Sequence, residues 1–251
     1  MPAASSHPPG SFCWIELATS DAAAARSFYT QLFGWTVNEI PMGEMGSYFI
    51  FQHRGRDCAA MYEGTGEGIP PNWLSYVAVA DADASAEQAK TLGGQILKEP
   101  FDVFDSGRMA VISDVQGAVF AIWQPRSHIG VGVRDEPGTL CWNELQARDV
   151  DRAKTFYTAL FPWRMKETED YTEWHLGSNA VGGMMPSQAP PEVPSMWLAY
   201  FAVTDCDGVT ARAESLSGEA IVPPMDIPNV GRMSVLADPQ GATFAIIRLA
   251  M

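Results

Sequence analysis

The fold is decided by one stretch, CWIELATSDAAAARSFYTQLFGW at residues 13–35, because it recurs as CWNELQARDVDRAKTFYTALFPW at residues 141–163. Further along, GRMAVISDVQGAVFAI at residues 107–122 recurs as GRMSVLADPQGATFAI at residues 231–246. The offsets are 141 minus 13, or 128, and 231 minus 107, or 124. Two long matches in the same order and at nearly one offset predict a duplicated domain.

A fainter repeat lies within each half. A shift of 60 residues places Asp21 on Asp81, and a shift of 56 residues places Asp149 on Asp205. Each of these aspartates follows an apolar strand and can cap the N-terminus of a helix. Short strands separated by Gly- and Asp-rich turns follow each helix. The pattern predicts four βαβββ modules, two in each half of the chain.

These repeats predict an α+β protein with two tandem domains. We place a flexible tail at residues 1–10, the first domain at 11–125, a linker at 126–138 and the second domain at 139–251. The linker is placed where the chain is rich in Gly and Pro and has no apolar periodicity.

The amino-acid composition indicates which kinds of molecule the protein can bind. The chain has 251 residues, with 16 basic and 30 acidic side chains and a formal net charge of −14. This charge repels phosphate backbones and anionic lipids, so we expect a small-molecule partner and neither nucleic acid nor membrane. The N-terminal stretch does not fit a secretory signal, and the four cysteines show no metal or disulfide spacing. The expected location is the cytoplasm.

Two motifs recur in register in both halves. One is FY with LFGW at residues 28–35, repeated as FY with LFPW at residues 156–163, and the other is the D-x-QG turn that begins at Asp114 and again at Asp238. Together they resemble the vicinal oxygen chelate superfamily of glyoxalases, bleomycin-resistance proteins and extradiol dioxygenases. The CW-x-EL and GRM motifs resemble its two-domain actinobacterial members, which include a mycobacterial antigen and are often labelled glyoxalase-like or hydroxylase.

The resemblance implies an architecture. Paired βαβββ modules would form a cupped mixed sheet with helices on its convex face and ligand or metal on its concave face. A two-domain chain would carry two cups, either as a monomer with an internal pseudo-dimer or as a homodimer. Whether modules pair within or across the domains stays open at this point.

The resemblance also implies a divalent metal held by His, Gln or Glu on facing strands. The positions that correspond to these ligands are Trp14, Trp142, Ser75, Ala199, Ala121, Ala245, Met61 and Met184. None of these side chains is a usual metal ligand. We therefore predict no metal and no other cofactor, with a divalent metal kept as the alternative.

Strand alternation predicts what lines the cups instead. The predicted ligand-binding residues are Trp14, Met61, Trp73, Ser75, Trp123, Trp142, Met184 and Trp197. Glu16 and Glu144 lie in otherwise apolar strands and are the predicted catalytic residues. Burial should raise the pKa of each, which suits a general base. The alternative is a structural carboxylate paired with Arg108 or Arg232.

Two functions remain open on this basis. In the first, the chain binds a small apolar-aromatic or cationic molecule in a cup lined by Trp and Glu, as bleomycin-resistance relatives do. In the second, it is a glyoxalase-like lyase or isomerase, or a dioxygenase- or hydroxylase-like enzyme, acting on a small carbonyl or aromatic substrate. Glu16 and Glu144 would then be bases or metal ligands. The sequence does not decide whether the chain is an enzyme.

Overall fold

Each half of the chain folds into its own eight-stranded sheet in the computed structural model, which describes residues 6–64 and 68–250. The strands of the first half are β1 (Phe12–Thr19), β2 (Thr36–Pro41), β3 (Ser47–His53), β4 (Arg56–Glu63), β5 (Asn72–Ala78), β6 (Gln95–Val103), β7 (Gly107–Ser113) and β8 (Val119–Pro125). Those of the second half are β9 (Leu140–Ala147), β10 (Arg164–Glu167), β11 (Thr172–Leu176), β12 (Asn179–Pro186), β13 (Met196–Ala202), β14 (Glu219–Ile227), β15 (Gly231–Ala237) and β16 (Thr243–Leu249).

The two sheets share one topology. The strand order is β2-β3-β4-β1-β5-β8-β7-β6 in the first and β10-β11-β12-β9-β13-β16-β15-β14 in the second. The central pairs, β1 with β5 and β9 with β13, are antiparallel, whereas β1 with β4 and β5 with β8 are parallel. Both modules of each sheet therefore come from the same half. The predicted mixed sheets are confirmed, and the question of module pairing is answered.

Four helices follow the predicted caps. They are α1 (Ala22–Phe33), α2 (Ala82–Thr91), α3 (Val150–Leu160) and α4 (Cys206–Ser215). The caps Asp21, Asp81, Asp149 and Asp205 each accept a hydrogen bond from a backbone N–H of the first helical turn. This bond satisfies one of the donors that every helix N-terminus leaves unpaired.

The helices lie between the two sheets, in two cores that both halves share. One core packs α1 and Ile15 of the first half against α4, Phe201 and Phe244 of the second. The other packs α2 and Phe120 of the first half against α3 and Trp197 of the second. One face of each sheet, which we call its helix face, is therefore buried against the other half. The opposite face, the open face, carries no helix.

A reciprocal pair of buried hydrogen bonds joins the halves. The Tyr29 hydroxyl donates to Asp238 Oδ2 at 2.9 Å, and Tyr157 donates to Asp114 Oδ2 at 3.0 Å. Trp73 donates its indole N–H to the Tyr29 oxygen at 3.0 Å. We call these two Tyr–Asp bonds the interdomain clamps. They explain why the FY motif and the D-x-QG turn recur together, since each half's tyrosine needs the other half's aspartate.

Both the tail and the linker are held by side chains of the LFGW and LFPW motifs. Trp35 donates its indole N–H to the Gly138 carbonyl oxygen at 2.7 Å, and Trp163 donates to that of Gly10 at 2.7 Å. The linker also returns to β1, where the Val131 N–H donates to the Cys13 oxygen at 2.8 Å. Residues 1–5 of the predicted tail lie outside the described residues.

The clamps should contribute strongly to stability. Changing Tyr29→Phe leaves the buried Asp238 carboxylate and the Trp73 indole N–H each without one partner. Leaving such groups unsatisfied costs about 1–3 kcal/mol, so we expect the free energy of unfolding in urea to fall by about 2 kcal/mol. Tyr62→Phe, at an exposed phenol, is the matched control and should change it by less than about 0.5 kcal/mol. Equal effects of the two changes would contradict the clamp.

Candidate functional site

The open face of the first sheet is identified by the pairing of β1 with β5. Trp14 lies opposite Tyr76 and Glu16 lies opposite Leu74. Residues directly opposite in an antiparallel pair share a face of the sheet. We call this surface the first cup and define it by Trp14, Glu16, Tyr48, Tyr76 and Trp123. Three of these residues, Trp14, Tyr76 and Trp123, form one buried cluster that Tyr48 packs against.

The carboxylate of Glu16 is held by two phenols. The Tyr48 hydroxyl donates to Glu16 Oε2 at 2.5 Å, and the Tyr76 hydroxyl donates to Oε1 at 2.9 Å. Trp14 donates its indole N–H to the Tyr48 oxygen at 3.3 Å. The linker covers part of this wall, because the His128 ring lies edge-on to Trp14 with 4.6 Å between ring centroids.

The second cup repeats the same cluster. Tyr171 donates to Glu144 Oε2 at 2.9 Å, and Tyr200 donates to Oε1 at 2.8 Å. Trp142 donates its indole N–H to the Tyr171 oxygen at 2.8 Å. A third donor is added here, since the Gln146 side-chain amide reaches Glu144 Oε1 at 2.6 Å. We define the second cup by these five residues.

The surroundings shift the protonation of both carboxyl groups. Burial raises the pKa of Glu16 above its ordinary value, and the hydrogen bonds from Tyr48 and Tyr76 offset part of this rise. The pKa of Glu144 is raised for the same reason. Burial and the neighbouring carboxylate raise the pKa of Tyr48 and Tyr76 well above 10, so both phenols remain neutral donors.

Five of the predicted site residues lie in the cups, and five do not. Trp14, Glu16, Trp123, Trp142 and Glu144 face the open sides as predicted. The inward orientation predicted for the others was wrong. Met61, Trp73, Ser75, Met184 and Trp197 lie on the helix faces.

A one-residue error in register explains these corrections. Ser75 lies opposite Ile15, and Trp73 lies opposite Leu17, both of which point to the helices. A shift of one residue along a strand moves every side chain to the other face. Ser75 instead donates to Asn143 Oδ1 at 2.7 Å between the two sheets.

The neighbours of Trp197, Met61 and Met184 place these three residues on the helix faces as well. Trp197 donates its indole N–H to the Tyr157 oxygen at 2.9 Å and so supports an interdomain clamp, as Trp73 does. Met61 pairs with Leu17 across β4 and β1 and is fully buried in the first shared core. Met184 pairs with Leu145 in the second shared core.

The carboxylates do not pair with the arginines of the GRM motifs. Arg108 binds Asp83 at 2.7 Å and Asp102 at 3.1 Å, and Arg232 makes the matching pair with Asp207 at 2.7 Å. These arginines hold the rim of each sheet to the first turn of a helix. The partners of Glu16 and Glu144 are tyrosines, which the sequence reasoning missed.

A signal for those tyrosines was present in the repeat. Tyr76 in SYVAV matches Tyr200 in AYFAV at the 124-residue offset, and Tyr48 matches Tyr171 at 123 residues (171 minus 48). A polar aromatic residue kept at the same point of a duplicated apolar strand indicates a fixed partner. Extending the repeat comparison to these strands would have paired each carboxylate with two phenols.

The donors in the cups do not fit a divalent metal. Beside Trp14 the open face offers Leu74, Ala60 and Ala121, and none of them has a lone pair to give a metal. Each cup holds one carboxylate, and the two phenols beside it stay protonated. Among residues 6–64 and 68–250, no group of three or more His, Cys, Asp or Glu is placed to hold a metal ion.

The fold and the duplicated motifs define the class of protein. The chain belongs to the glyoxalase/bleomycin resistance protein/dioxygenase superfamily, whose family model matches residues 11–122 and 129–246. The match covers both halves, in agreement with the two sheets.

Two relatives cover nearly the whole chain. "Putative glyoxylase CFP32" of Mycobacterium tuberculosis is 40% identical over 259 residues, which cover 100% of this chain and 99% of the relative. "Anthracycline biosynthesis protein DnrV" of Streptomyces peucetius is 35% identical over 259 residues, which cover 96% of this chain and 94% of the relative.

Solved structures share the fold at low identity. A Mn(II)-bound glyoxalase from Novosphingobium aromaticivorans superposes with a TM-score of 0.67 at 12% identity, covering 96% of this chain and 82% of that one. A variant of homoprotocatechuate 2,3-dioxygenase from B. fuscum gives 0.68 at 15% identity, covering 100% and 73%. Among the described residues, no helix has the length and apolar character to cross a membrane.

The phenols should control the ionisation of each carboxyl group. Because the hydrogen bond from Tyr76 favours the ionised form of Glu16, Tyr76→Phe should raise the pKa of Glu16 further. Each pKa unit corresponds to about 1.4 kcal/mol. The measurement is a pH titration of ¹³C-labelled glutamate carboxyl signals by NMR.

The duplication supplies the control for this titration. Tyr200→Phe should raise the pKa of Glu144 and leave that of Glu16 unchanged, since Tyr200 contacts only the second carboxylate. A Glu16 pKa that stays the same or falls in Tyr76→Phe would show that the phenol does not stabilise the carboxylate.

Proposed function

We propose that this protein binds a small apolar-aromatic or cationic molecule in its cups, with Glu16 and Glu144 as the polar anchors. One observation carries the proposal. A carboxylate held by two phenols, one of which accepts an indole N–H, recurs in both halves at the centre of each open face. A buried carboxylate is costly unless it is paired, and here the pairing leaves the group facing the side that carries no helix.

The unused acceptor capacity of the carboxylate fits a donor on the ligand. An ionised carboxylate offers about four lone-pair sites. Tyr48 and Tyr76 fill two of those on Glu16. A hydroxyl or ammonium group of a ligand would fill another, and a charged donor would also offset the negative charge.

Aromatic walls beside the carboxylate favour a flat or cationic ligand. Trp14 and Trp123 are both part of the first cup, and Trp142 is part of the second. A cation over an indole face gains about 0.5–2 kcal/mol. The name of the Streptomyces relatives, anthracycline biosynthesis protein, supports an aromatic ligand for this chain as well, since anthracyclines are polycyclic aromatic compounds.

A second candidate is an enzyme in which Glu16 and Glu144 are general bases. The raised pKa of each carboxyl group supports it, because a base works best when its pKa lies near the working pH. The reaction would be proton transfer next to a carbonyl group of the substrate. Turnover of a carbonyl substrate that survives the double change Glu16→Gln, Glu144→Gln would remove this candidate.

The proposed assembly is a cytoplasmic monomer with an internal pseudo-dimer. Its support is that the helix face of each sheet is already covered by the other half, which leaves no helix face for a second chain. Sedimentation equilibrium should give a mass near 27.3 kDa at micromolar concentration. A mass of twice this value would favour the homodimer.

The binding proposal is tested by removing the charge and keeping the shape of both anchors. In the double variant Glu16→Gln, Glu144→Gln, we expect the Kd for benzylamine to rise at least about tenfold, since hydrogen bonds to charged groups contribute about 1.5–3 kcal/mol. Tryptophan fluorescence titration measures the Kd.

The control for this titration is Glu87→Gln, an exposed carboxylate on α2, which should leave the Kd within about twofold. The proposal fails if benzylamine and 2-naphthol, a neutral aromatic alcohol, both bind the double variant as well as the original protein.

A further inference from the structure

The two cups differ in the exposed fraction of three pairs of equivalent residues. Met109 and its counterpart Met233 illustrate the difference, because Met109 is half-buried and Met233 is only 7% exposed. Leu74 and Leu198 differ in the same sense, as do the two anchor carboxylates, with Leu198 at 5% and Glu144 at 6% exposed. At these three positions the second cup is the more buried of the two, whereas Trp142 of the second cup is half-buried and Trp14 of the first is only 5% exposed.

Gln146 gives Glu144 a hydrogen-bond donor that Glu16 does not receive from the matching position. It lies two residues beyond Glu144 on β9 and therefore on the same face, and its amide donates to Oε1 at 2.6 Å. The matching residue in the first half is Ala18, which has no polar group. Glu16 Oε1 thus accepts one hydrogen bond, from Tyr76, where Glu144 Oε1 accepts two.

The mouth of the first cup carries an aromatic side chain that the second cup lacks. Tyr62 pairs with Ala18 across β4 and β1 and is 36% exposed. Burial, and after it the charge of Glu16, raise the pKa of the Tyr62 phenol. In the second half the residue beside Gln146 is Met185.

We propose that only the first cup takes a ligand, and that Gln146 fills the equivalent place in the second cup as a built-in substitute. The ligand is a flat aromatic molecule with one hydroxyl or ammonium donor. The donor binds Glu16 Oε1, at the position that the Gln146 amide occupies on Glu144, and the ring lies against Tyr62. This inference rests on the proposed function and narrows it to one site for each chain.

The second cup therefore indicates which kind of group a ligand would place beside Glu16 in the first cup. Its amide shows that an N–H donor fits beside the tyrosine hydroxyl on the same carboxylate oxygen. It also shows from which side the donor approaches, since Gln146 comes from the end of β9 that corresponds to Ala18 and Tyr62. A free ligand entering past Tyr62 would follow the same direction.

The test titrates the protein with 2-naphthol while each cup is observed separately. The chain is labelled with 5-fluorotryptophan, and the ¹⁹F signals of Trp14 and Trp142 are assigned with single Trp→Phe variants. We expect the Trp14 signal to shift and saturate at one equivalent bound, with no saturable shift of Trp142. Glu16→Gln should weaken binding at least tenfold, and Glu87→Gln, at an exposed carboxylate on α2, should change it less than twofold.

Reciprocal variants provide the matched control. Gln146→Ala should open the second cup, so that the Trp142 signal now responds to 2-naphthol. Ala18→Gln should close the first cup and abolish the Trp14 response, while the clamp-dependent stability stays that of the original protein. Failure of Gln146→Ala to produce a response at Trp142 would overturn the role given to Gln146.

The remaining outcomes separate this inference from the function on which it rests. Equal responses of Trp14 and Trp142 in the original protein would keep ligand binding and overturn the difference between the cups. A response at Trp142 alone would also overturn it. If neither signal responds to millimolar 2-naphthol or benzylamine, both the inference and the proposed function fail.

Discussion

The structure depends on two reciprocal buried hydrogen bonds between the two halves. In each half, the hydroxyl of the tyrosine in the first helix donates to the aspartate at the last hairpin of the other half. The two oxygen–oxygen distances are 2.9 and 3.0 Å. An unpaired aspartate at this depth would cost more than the hydrogen bond contributes, so neither half satisfies its own polar groups alone. α1 and α3 lie between the sheets, where their tyrosines reach these aspartates and their apolar side chains form part of the shared cores.

This packing also leaves the open face of each sheet as the face that the other half does not cover. With the helix faces buried against one another, the polar groups that remain on the central strands must find partners within their own sheet. Glu16 does so through Tyr48 of β3 and Tyr76 of β5, and Glu144 through Tyr171, which precedes β11, and Tyr200 of β13. The result is a polar cluster in an otherwise apolar surface, an arrangement typical of small-molecule sites.

Much of the fold could be predicted because the sequence motifs of the first half are repeated in the second. The repeats indicated the domains, and the capping aspartates and the central glutamates were found from local pattern alone. The face of β5 could not be fixed in this way, since strand periodicity is two and a shift of one residue exchanges the faces. Trp73 and Ser75 were therefore placed in the cup, although they support the interface between the halves.

The composition of the site was harder to foresee than its location. Tyr48 and Tyr76 lie 32 and 60 residues beyond Glu16 in the chain, and only the pairing of β3, β4, β1 and β5 brings them to it. The pairing of modules within one half could not be read from the repeats either, because a repeat does not say which of its copies pair. Sequence patterns describe each strand, whereas the site is a property of strand neighbours.

We propose that a carboxylate held by phenols binds the ligand without help from a metal. The most direct measurement is calorimetric titration of the protein with 2-naphthol, before and after removal of metals with a chelator. An unchanged Kd, within about twofold, is the predicted result. Binding that disappears after chelation and returns with added Mn²⁺ or Zn²⁺ would contradict the claim, and would make Glu16 and Glu144 metal ligands.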